Sequence, residues 1–333
     1  MSKLLLHLCA VTSILLITSI SAQADTFGVP TPYATIQAAI DAAFAAGGGD
    51  VEVAIGEYSP LTNGESFPIV MRNGVDLISA SVPWNTIINA DKNSSDQGRV
   101  IECENVTGPV RIEGFTITGA YISTSSVHDG AGLWCSDSHL NLTNCIIRDN
   151  EATGAGGGAL FRASTTVITG CAFLDNSAGD GGGIFATESS VDVIECTLYG
   201  NDCDYDAGGI YLWKGSDLDM QHTIITASTG GMAVYCDDTQ GACSAEVGCC
   251  DIYGNPEGDW VDCLLGLNGT AGNISEDALF CDPDNRCLFL QDCSPCVGDS
   301  CVVIGAYGVR CECGGGPTVT QPSTWSSVKA LYR

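Results

Sequence analysis

Basic side chains are scarce in this chain, with 12 Lys and Arg against 40 Asp and Glu and a formal net charge of −28 over 333 residues. Phosphate binding needs basic groups, so nucleic acid is a poor partner for such a surface. An acidic surface suits solubility, cation binding or a salty exterior instead. Histidine is scarcer still, at 4 copies, and His128, His139 and His222 stand far apart. Long apolar runs are missing after the N-terminus, so no later segment is expected to span a bilayer. The single such run lies in residues 1–24, "MSKLLLHLCAVTSILLITSISAQA". A lysine, an apolar stretch and the small-x-small triplet Ala22, Gln23, Ala24 read as a secretory signal peptide, cleaved near Ala24–Asp25.

Cysteine, by contrast, is plentiful. Of 19 cysteines, Cys9 falls in that leader, which leaves 18, an even number. Exported chains tolerate disulfides, so most of these are expected to be bridged, in a pairing that the sequence does not give. Twelve of them lie between Cys236 and Cys313, which marks the region from about 236 as the stapled part. Cys293-Ser-Pro-Cys296 has zinc-ligand spacing, but export and the many other cysteines favour a bridge.

The stretch "GDGGGIFATESSVDVIECTLYGN", Gly179 to Asn201, contains a frame that recurs. Val191, Val193, Cys196, Leu198 and Asn201 are matched by Leu140, Leu142, Cys145, Ile147 and Asn150. They are matched again by Thr166, Ile168, Cys171, Phe173 and Asn176, and by Ala245, Val247, Cys250, Ile252 and Asn255. Weaker copies run through Val110, Ile112, Phe115, Ile117 and Ala120, and through Leu218, Met220, Thr223, Ile225 and Ser228. The third column (Phe115, Cys145, Cys171, Cys196, Thr223, Cys250) is spaced 30, 26, 25, 27 and 27 residues apart. A glycine marker recurs as Gly132-Leu133-Trp134, Gly158-Ala159-Leu160, Gly183-Ile184-Phe185 and Gly209-Ile210-Tyr211.

Each unit holds short alternating runs of Val, Ile and Thr broken by Gly, Asn and Asp, which are strand and turn signals. A unit of this size cannot bury a core alone; stacked on copies of itself about 4.8 Å apart, it can. Copies that run in one direction make parallel sheets, hence a parallel β-helix. A β-propeller needs roughly 40 or more residues per blade, and the frame of a leucine-rich repeat is absent. The glycines are read as corners with positive φ. The cysteines are read as a small, weakly polar inward stack, close enough rung to rung for disulfides. The asparagines are read as a ladder.

These residues resemble right-handed parallel β-helix proteins of the pectin-lyase-like superfamily. "ATIQAAIDAAFAAGGGDVEVAIGEY", Ala34 to Tyr58, resembles that group's N-terminal motif, a helix that caps the open end of the coil. Ile36, Ala39, Ile40, Ala43 and Phe44 form one apolar helical face, Gly47 to Gly49 stop the helix, and Val51, Val53 and Ile55 alternate as a strand. Phe173-Leu174-Asp175-Asn176 with Gly182-Gly183-Ile184 is similar to repeats of polymorphic outer-membrane proteins. Residues 272–296 and Ile304 to Gly308 resemble closing rungs of secreted bacterial β-helix proteins. The resemblance thus implies an all-β, right-handed parallel β-helix (solenoid) over 25–313 with a short capping helix. A linker and tail, 314–333, would follow, similar to short bacterial sorting tails. A porin-like barrel would need more strands than remain.

The fold hosts lyases, hydrolases and adhesins alike, so function rests on sites. Pectate-lyase-type enzymes use Asp-bound calcium with an Arg or Lys base, and polygalacturonase-type enzymes use clustered aspartates with His and Arg-x-Lys. Neither constellation is found, and no Arg-x-Lys exists. Asp202, Asp204 and Asp206 alternate before Gly208-Gly209, a spacing that suits calcium, although Ala207 and Trp213 exclude a full EF-hand. "CDPDNRC", Cys281 to Cys287, is a second candidate. Asn93, Asn105, Asn141, Asn268 and Asn273 sit in N-x-Ser/Thr sequons.

Trp134, Phe161, Phe185 and Tyr211 follow the glycine corners: as an exposed column they would stack on sugar rings, and buried they are an inward aromatic stack of the core, the favoured reading. The leading expectation is a secreted or cell-surface protein that binds glycan or another surface without catalysis. The alternative is a polysaccharide lyase or glycoside hydrolase, favoured by a carboxylate pair across a groove near Arg111, Arg148 or Arg162. A purely structural coat component is the third.

Overall fold

A computed structural model describes residues 26–92, 98–123, 129–298 and 301–313. The leader, the Asn93 sequon, His128 and the 314–333 tail lie outside these. Three parallel sheets of nine, eight and seven strands wind around one interior, with a fourth ladder of four two-residue strands at one corner, among the described residues. The result is a parallel β-solenoid of about 8 turns.

The recurrent frame is the inside of this coil. On the first sheet Leu140, Thr166, Val191, Leu218 and Ala245 stand in register, and so do Leu142, Ile168, Val193, Met220 and Val247. On the second sheet the inward row is Ile117, Ile147, Phe173, Leu198, Ile225 and Ile252. Nearly all are fully buried, at about 1.5–3 kcal/mol for each large apolar side chain.

The corners obey one rule. A left-handed residue turns the chain, and the next residue points inward and bonds the rung beside it. Asp149, Asp175 and Gly200 precede Asn150, Asn176 and Asn201. Asn150 Nδ2 donates to Asn176 Oδ1 at 3.1 Å, and Asn176 Nδ2 donates to Asn201 Oδ1 at 3.0 Å. Each of the three also donates to a backbone carbonyl of the preceding rung. Asn144, Gly170 and Glu195 precede Cys145, Cys171 and Cys196, where the Cys145 backbone N–H donates to Cys171 Sγ at 3.3 Å. The third corner carries a ladder of buried serines, Ser138, Ser164, Ser189 and Ser216, linked N–H to Oγ at 3.1–3.2 Å. Sequence reasoning missed it, although these serines fall seven positions before Cys145, Cys171, Cys196 and Thr223.

Only the first glycine of the Gly181–Gly183 triplet turns with positive φ, at 61°. The other two are needed for space, because a Cβ on Gly183 would meet the Gly209 carbonyl oxygen at 2.7 Å. The cysteine reading needs correction. Four disulfides join Cys236–Cys263, Cys249–Cys301, Cys281–Cys311 and Cys293–Cys313, all within 236–313. The other ten described cysteines carry thiols, Cys145, Cys171, Cys196 and Cys296 among them, so fewer than half are bridged. The corner column of Cys145, Cys171 and Cys196 is held by hydrogen bonds, and bridging there would break them.

The helix Ile36–Ala45 caps the first rung with Ile36, Ala39, Ile40 and Ala43 buried. Thr35 Oγ1 accepts from the Ala38 N–H at 3.2 Å. Glu65, from a later loop, accepts from the N–H groups of Ile36 and Gln37 at 2.7 and 3.1 Å, so an acid sits at the positive helix end. Phe44, expected on the apolar face, is 51% exposed, and Ile55 lies past the strand's end at Val53.

The C-terminal region differs most from expectation. The parallel strands end with Asp251–Tyr253, beyond which a single parallel bridge, Asp251 to Ile274, starts one more rung. Residues 278–311 do not add closing rungs but fold back along the outer face of the second sheet. There Phe280–Asp282 pairs antiparallel with Cys287–Gln291, which pairs parallel with Val309–Cys311. Phe280, Leu288, Leu290 and Ile304 bury themselves against Ala172, Leu174 and Ile224. This flap is also tied by backbone: Gly305 N–H donates to the His222 carbonyl at 2.7 Å, and Ala306 N–H donates to Thr197 Oγ1 at 2.9 Å.

Candidate functional site

The residues expected to carry a site do not form one. Trp134, Phe185 and Tyr211 do share an outward column of the third sheet, with Leu160 between the first two and Tyr235 beyond. Phe161 is not in it. Its register partners are Cys135 and Ala186, and it is wholly buried in the coil's core. A one-residue slip on a strand moves a side chain to the opposite face. The outward column offers no open ring face either, since Trp134, Phe185 and Tyr211 are 7%, 4% and 7% exposed. They pack on each other, Phe185 and Tyr211 stacked at 4.9 Å, and Tyr211 donates its hydroxyl proton to Asp237 Oδ2 at 3.1 Å.

Asp202, Asp204 and Asp206 likewise do not converge on one point. Asp202 accepts from Thr229 Oγ1 at 2.8 Å, while the Asp206 N–H donates to Asp180 Oδ1 at 3.3 Å. Among the described residues, two groups of three acid or thiol ligands come within reach of a shared ion. They are Cys236–Asp262–Cys263 and Asp292–Cys293–Cys313, and in both the two sulfurs are already bonded to each other. The calcium expectation at Asp202, Asp204 and Asp206 therefore has no cage. His139 lies on the first sheet, and His222 occupies a left-handed corner. Of the sequons, Asn273 is buried and donates to two backbone carbonyls.

The site the structure does build lies where the flap meets the coil. A cavity of about 490 Å³ opens between the second sheet's outer face and the flap. The coil contributes Ile87, Thr116, Ile146, Arg148 and Leu174, with Trp84 from the short helical turn Pro83–Asn85. The flap contributes Asp282, Asn285, Arg286, Cys287, Phe289 and Tyr307. Phe289 and Tyr307 lie 5.3 Å apart, and the Arg310 guanidinium rests 4.8 Å over the Phe289 ring. Arg310 Nη1 is buried without a hydrogen-bond partner.

Arginines and aspartates interlock at the margin. Arg286 Nη1 and Nη2 donate to Asp149 Oδ2 and Oδ1 at 2.7 Å each, and Nη2 also lies 2.9 Å from Asp175 Oδ2. Arg148 pairs with Asp149. Asp149 and Asp175 sit at the same corner of successive rungs, both left-handed. Burial works to raise the Asp149 pKa, but the hydrogen bonds and charge of Arg286 and Arg148 outweigh it and hold the carboxyl below its usual range. Asp175 moves the opposite way: burial raises it and the Asp149 charge adds, against the partial opposition of Arg286. Burial also raises the Cys287 thiol, with Arg310 opposing.

A second cavity, about 410 Å³, lies further along the same face, lined by Tyr199, Tyr253, Phe280 and Gln291 among others. Of the residues named from sequence, this region uses Arg148 and the stretch Cys281 to Cys287, whose Asp282, Asn285, Arg286 and Cys287 line the first cavity. Arg111 instead pairs with Asp76 and Glu113 on the first sheet. A missed signal was the residue just after Cys145, Cys171 and Thr223: Ile146, Ala172 and Ile224 face outward yet are apolar, so that sheet is covered on both sides there, although Thr197 and Asp251 hold the same position on other rungs.

The family described as right-handed β-helix region matches residues 73–252, the coil itself. The chain belongs to that family. Among solved structures it is similar to a pectin methylesterase from carrot, at 9% identity and TM-score 0.34, covering 79% of this chain and 90% of that one. It is also similar to the A-module of a mannuronan C-5 epimerase from Azotobacter vinelandii, at 20% identity and TM-score 0.28, covering 66% and 73%. No curated protein matches it in sequence. No helix among the described residues is long and apolar enough to cross a membrane, which says nothing of a β-barrel. The four disulfides fit a location outside the cytoplasm.

Proposed function

We propose that this β-helix protein is secreted or held at the cell surface, and that it binds a saccharide in the cavity beneath the flap without turning it over. The observation that carries the reading is the cavity's wall chemistry. Trp84 and Tyr307 are half-buried rings in its lining beside the buried Phe289, and Arg148, Asn285 and Asp282 are polar groups of the same lining. A walled cavity of a few hundred Å³ with aromatic faces and few polar groups suits one or two sugar rings. An acidic sugar fits best. In a chain of net charge −28, Arg148 and Arg286 line this cavity and Arg310 stacks on its wall, with Nη1 buried and unpartnered. A carboxylate or sulfate group would pair with guanidinium there.

Catalysis is the second reading, and one observation favours it: the Asp149–Asp175 pair, whose pKa values are pushed apart beside Arg148. Against it, Arg286 binds both carboxylates at once, which leaves neither free as acid or base. The test titrates the purified mature protein with acidic and neutral oligosaccharides. It follows tryptophan fluorescence together with new reducing ends and unsaturated-uronate absorbance. Saturable binding without turnover, weakened at least about tenfold in Trp84→Ala, supports the proposal. Turnover lost in Asp175→Asn would establish the second reading, and no binding across the panel would sink both.

A further inference from the structure

We infer that Cys103 and Cys135 are joined by a disulfide in the mature protein, a covalent staple between two rungs of the coil. The two residues are direct register partners on the neighbouring parallel strands Ile101–Glu104 and Leu133–Ser136. Both are fully buried and both point into the coil. Parallel neighbours in register are held at about 4.8 Å, inside the Cα–Cα window that a disulfide accepts.

The corner column gives the contrast. Cys145, Cys171 and Cys196 are also stacked and buried, but each thiol donates to the carbonyl two residues before it, at 3.2–3.4 Å. There the sulfur of Cys171 also accepts the Cys145 N–H. Bridging that column would undo a working ladder and strand its third member. Cys103 and Cys135 are a single register pair in mid-strand, with Phe161 as the next register neighbour, and bridging them gives up one side-chain contact, Cys135 Sγ to Ser164 Oγ at 3.7 Å, but no backbone hydrogen bond.

Four bridges elsewhere in the chain imply an oxidising compartment. The reaction is thiol–disulfide exchange with an oxidised dithiol protein of that compartment. The two thiols lose two protons and two electrons as one Sγ–Sγ bond forms, and the partner's disulfide is reduced to two thiols. Because both sulfurs are buried in the finished coil, exchange takes place before this rung closes. The staple would sit in the N-terminal half, where the intervals between rungs are long, 32 residues from Cys103 to Cys135 and 35 from Leu77 to Ile112.

The test unfolds the purified, non-reduced full chain in denaturant, alkylates it without reductant, and maps the peptides by mass. The expected result is a linked Cys103–Cys135 peptide pair, with eight alkylated cysteines rather than the ten thiols otherwise present. In Cys103→Ser, Cys135 is expected to become alkylated. The inference is overturned if both residues carry alkyl groups in the wild-type chain, or if either is linked to a different cysteine. The wild-type map decides the matter even if the variant fails to fold.

Discussion

The coil and the flap meet along one sheet face, yet they are held by different means. Through the regular rungs from about residue 138 to 201, each corner repeats one side chain, and order comes from identical neighbours. Asn150, Asn176 and Asn201 are fully buried polar groups, and each finds its partners on a neighbouring rung. The flap has no neighbour like itself. Its three-stranded patch is too small to fold alone, so it borrows the coil's outward Ala172, Leu174 and Ile224 and relies on disulfides. At the corners repetition stands in for covalent bonds, and the four bridges from Cys236 onward lie where the repeat fades and stops.

The largest effect should come from the one disulfide that ties flap to coil. Cys249 is a coil corner and Cys301 lies in the flap, 52 residues on. Closing a loop of that size contributes about 4 kcal/mol in the chain-entropy picture. The Cys249→Ser/Cys301→Ser variant is expected to lose flap protection in limited proteolysis at residues 278–313 while far-UV dichroism of the coil persists. Joint loss of both would mean that coil and flap are one cooperative unit, and the contrast would fail.

Asn176→Ala attacks the other side. The side chain donates to the Ile147 carbonyl and to Asn201, and accepts from the backbone and side chain of Asn150. Its removal orphans several buried groups, at roughly 3 kcal/mol in total. Denaturant unfolding followed by coil dichroism should show that loss with the flap's disulfides intact. A change under about 1 kcal/mol would show that the ladder is dispensable.

The two regions were also unequally legible. The coil was readable because one frame repeats at 25–30 residues, and the frame's columns are the inward rows observed. Phe161 was misplaced by a single residue. The glycine marker taken strictly gives Leu160, but an aromatic ring drew attention one position along, and on a strand that reverses the face. The flap was unreadable because it has no repeat, and its apolar residues look like those of any further rung. The cavity was missed with it, since Arg148 and Arg286 stand 138 positions apart and only folding back brings them together.

Acid should separate the regions too. Asp251, fully buried at the coil's last rung, accepts from the flap's Cys296 thiol at 3.1 Å and from the Glu276 N–H. Burial pushes its pKa up to about 6. The folded value lies above the unfolded one, so the folded state holds the proton more tightly. The resulting stability is fully present below about pH 4 and is lost as pH rises through 6, up to about 3 kcal/mol. Unfolding midpoints measured from pH 4 to 7 should therefore fall more steeply in the wild type than in Asp251→Asn. Parallel curves would assign the buried carboxyl no part in holding the joint.

The smallest expected effect is at Arg286, where the flap reaches the coil through charge alone. Arg286→Gln removes both ion pairs, but its side chain and those of Asp149 and Asp175 are 30–40% exposed, so solvent screens much of the attraction. A loss of about 1 kcal/mol is expected. It should be confined to faster amide exchange across Phe280–Gln291, with the asparagine ladder one residue further on unchanged. The same substitution frees Asp149 and Asp175. If saccharide turnover then emerged where the wild type has none, the clamp would be what separates a binding site from a catalytic one. If binding tightened or weakened without turnover, Arg286 would be a fastener whose hold sets how far the cavity admits its ligand.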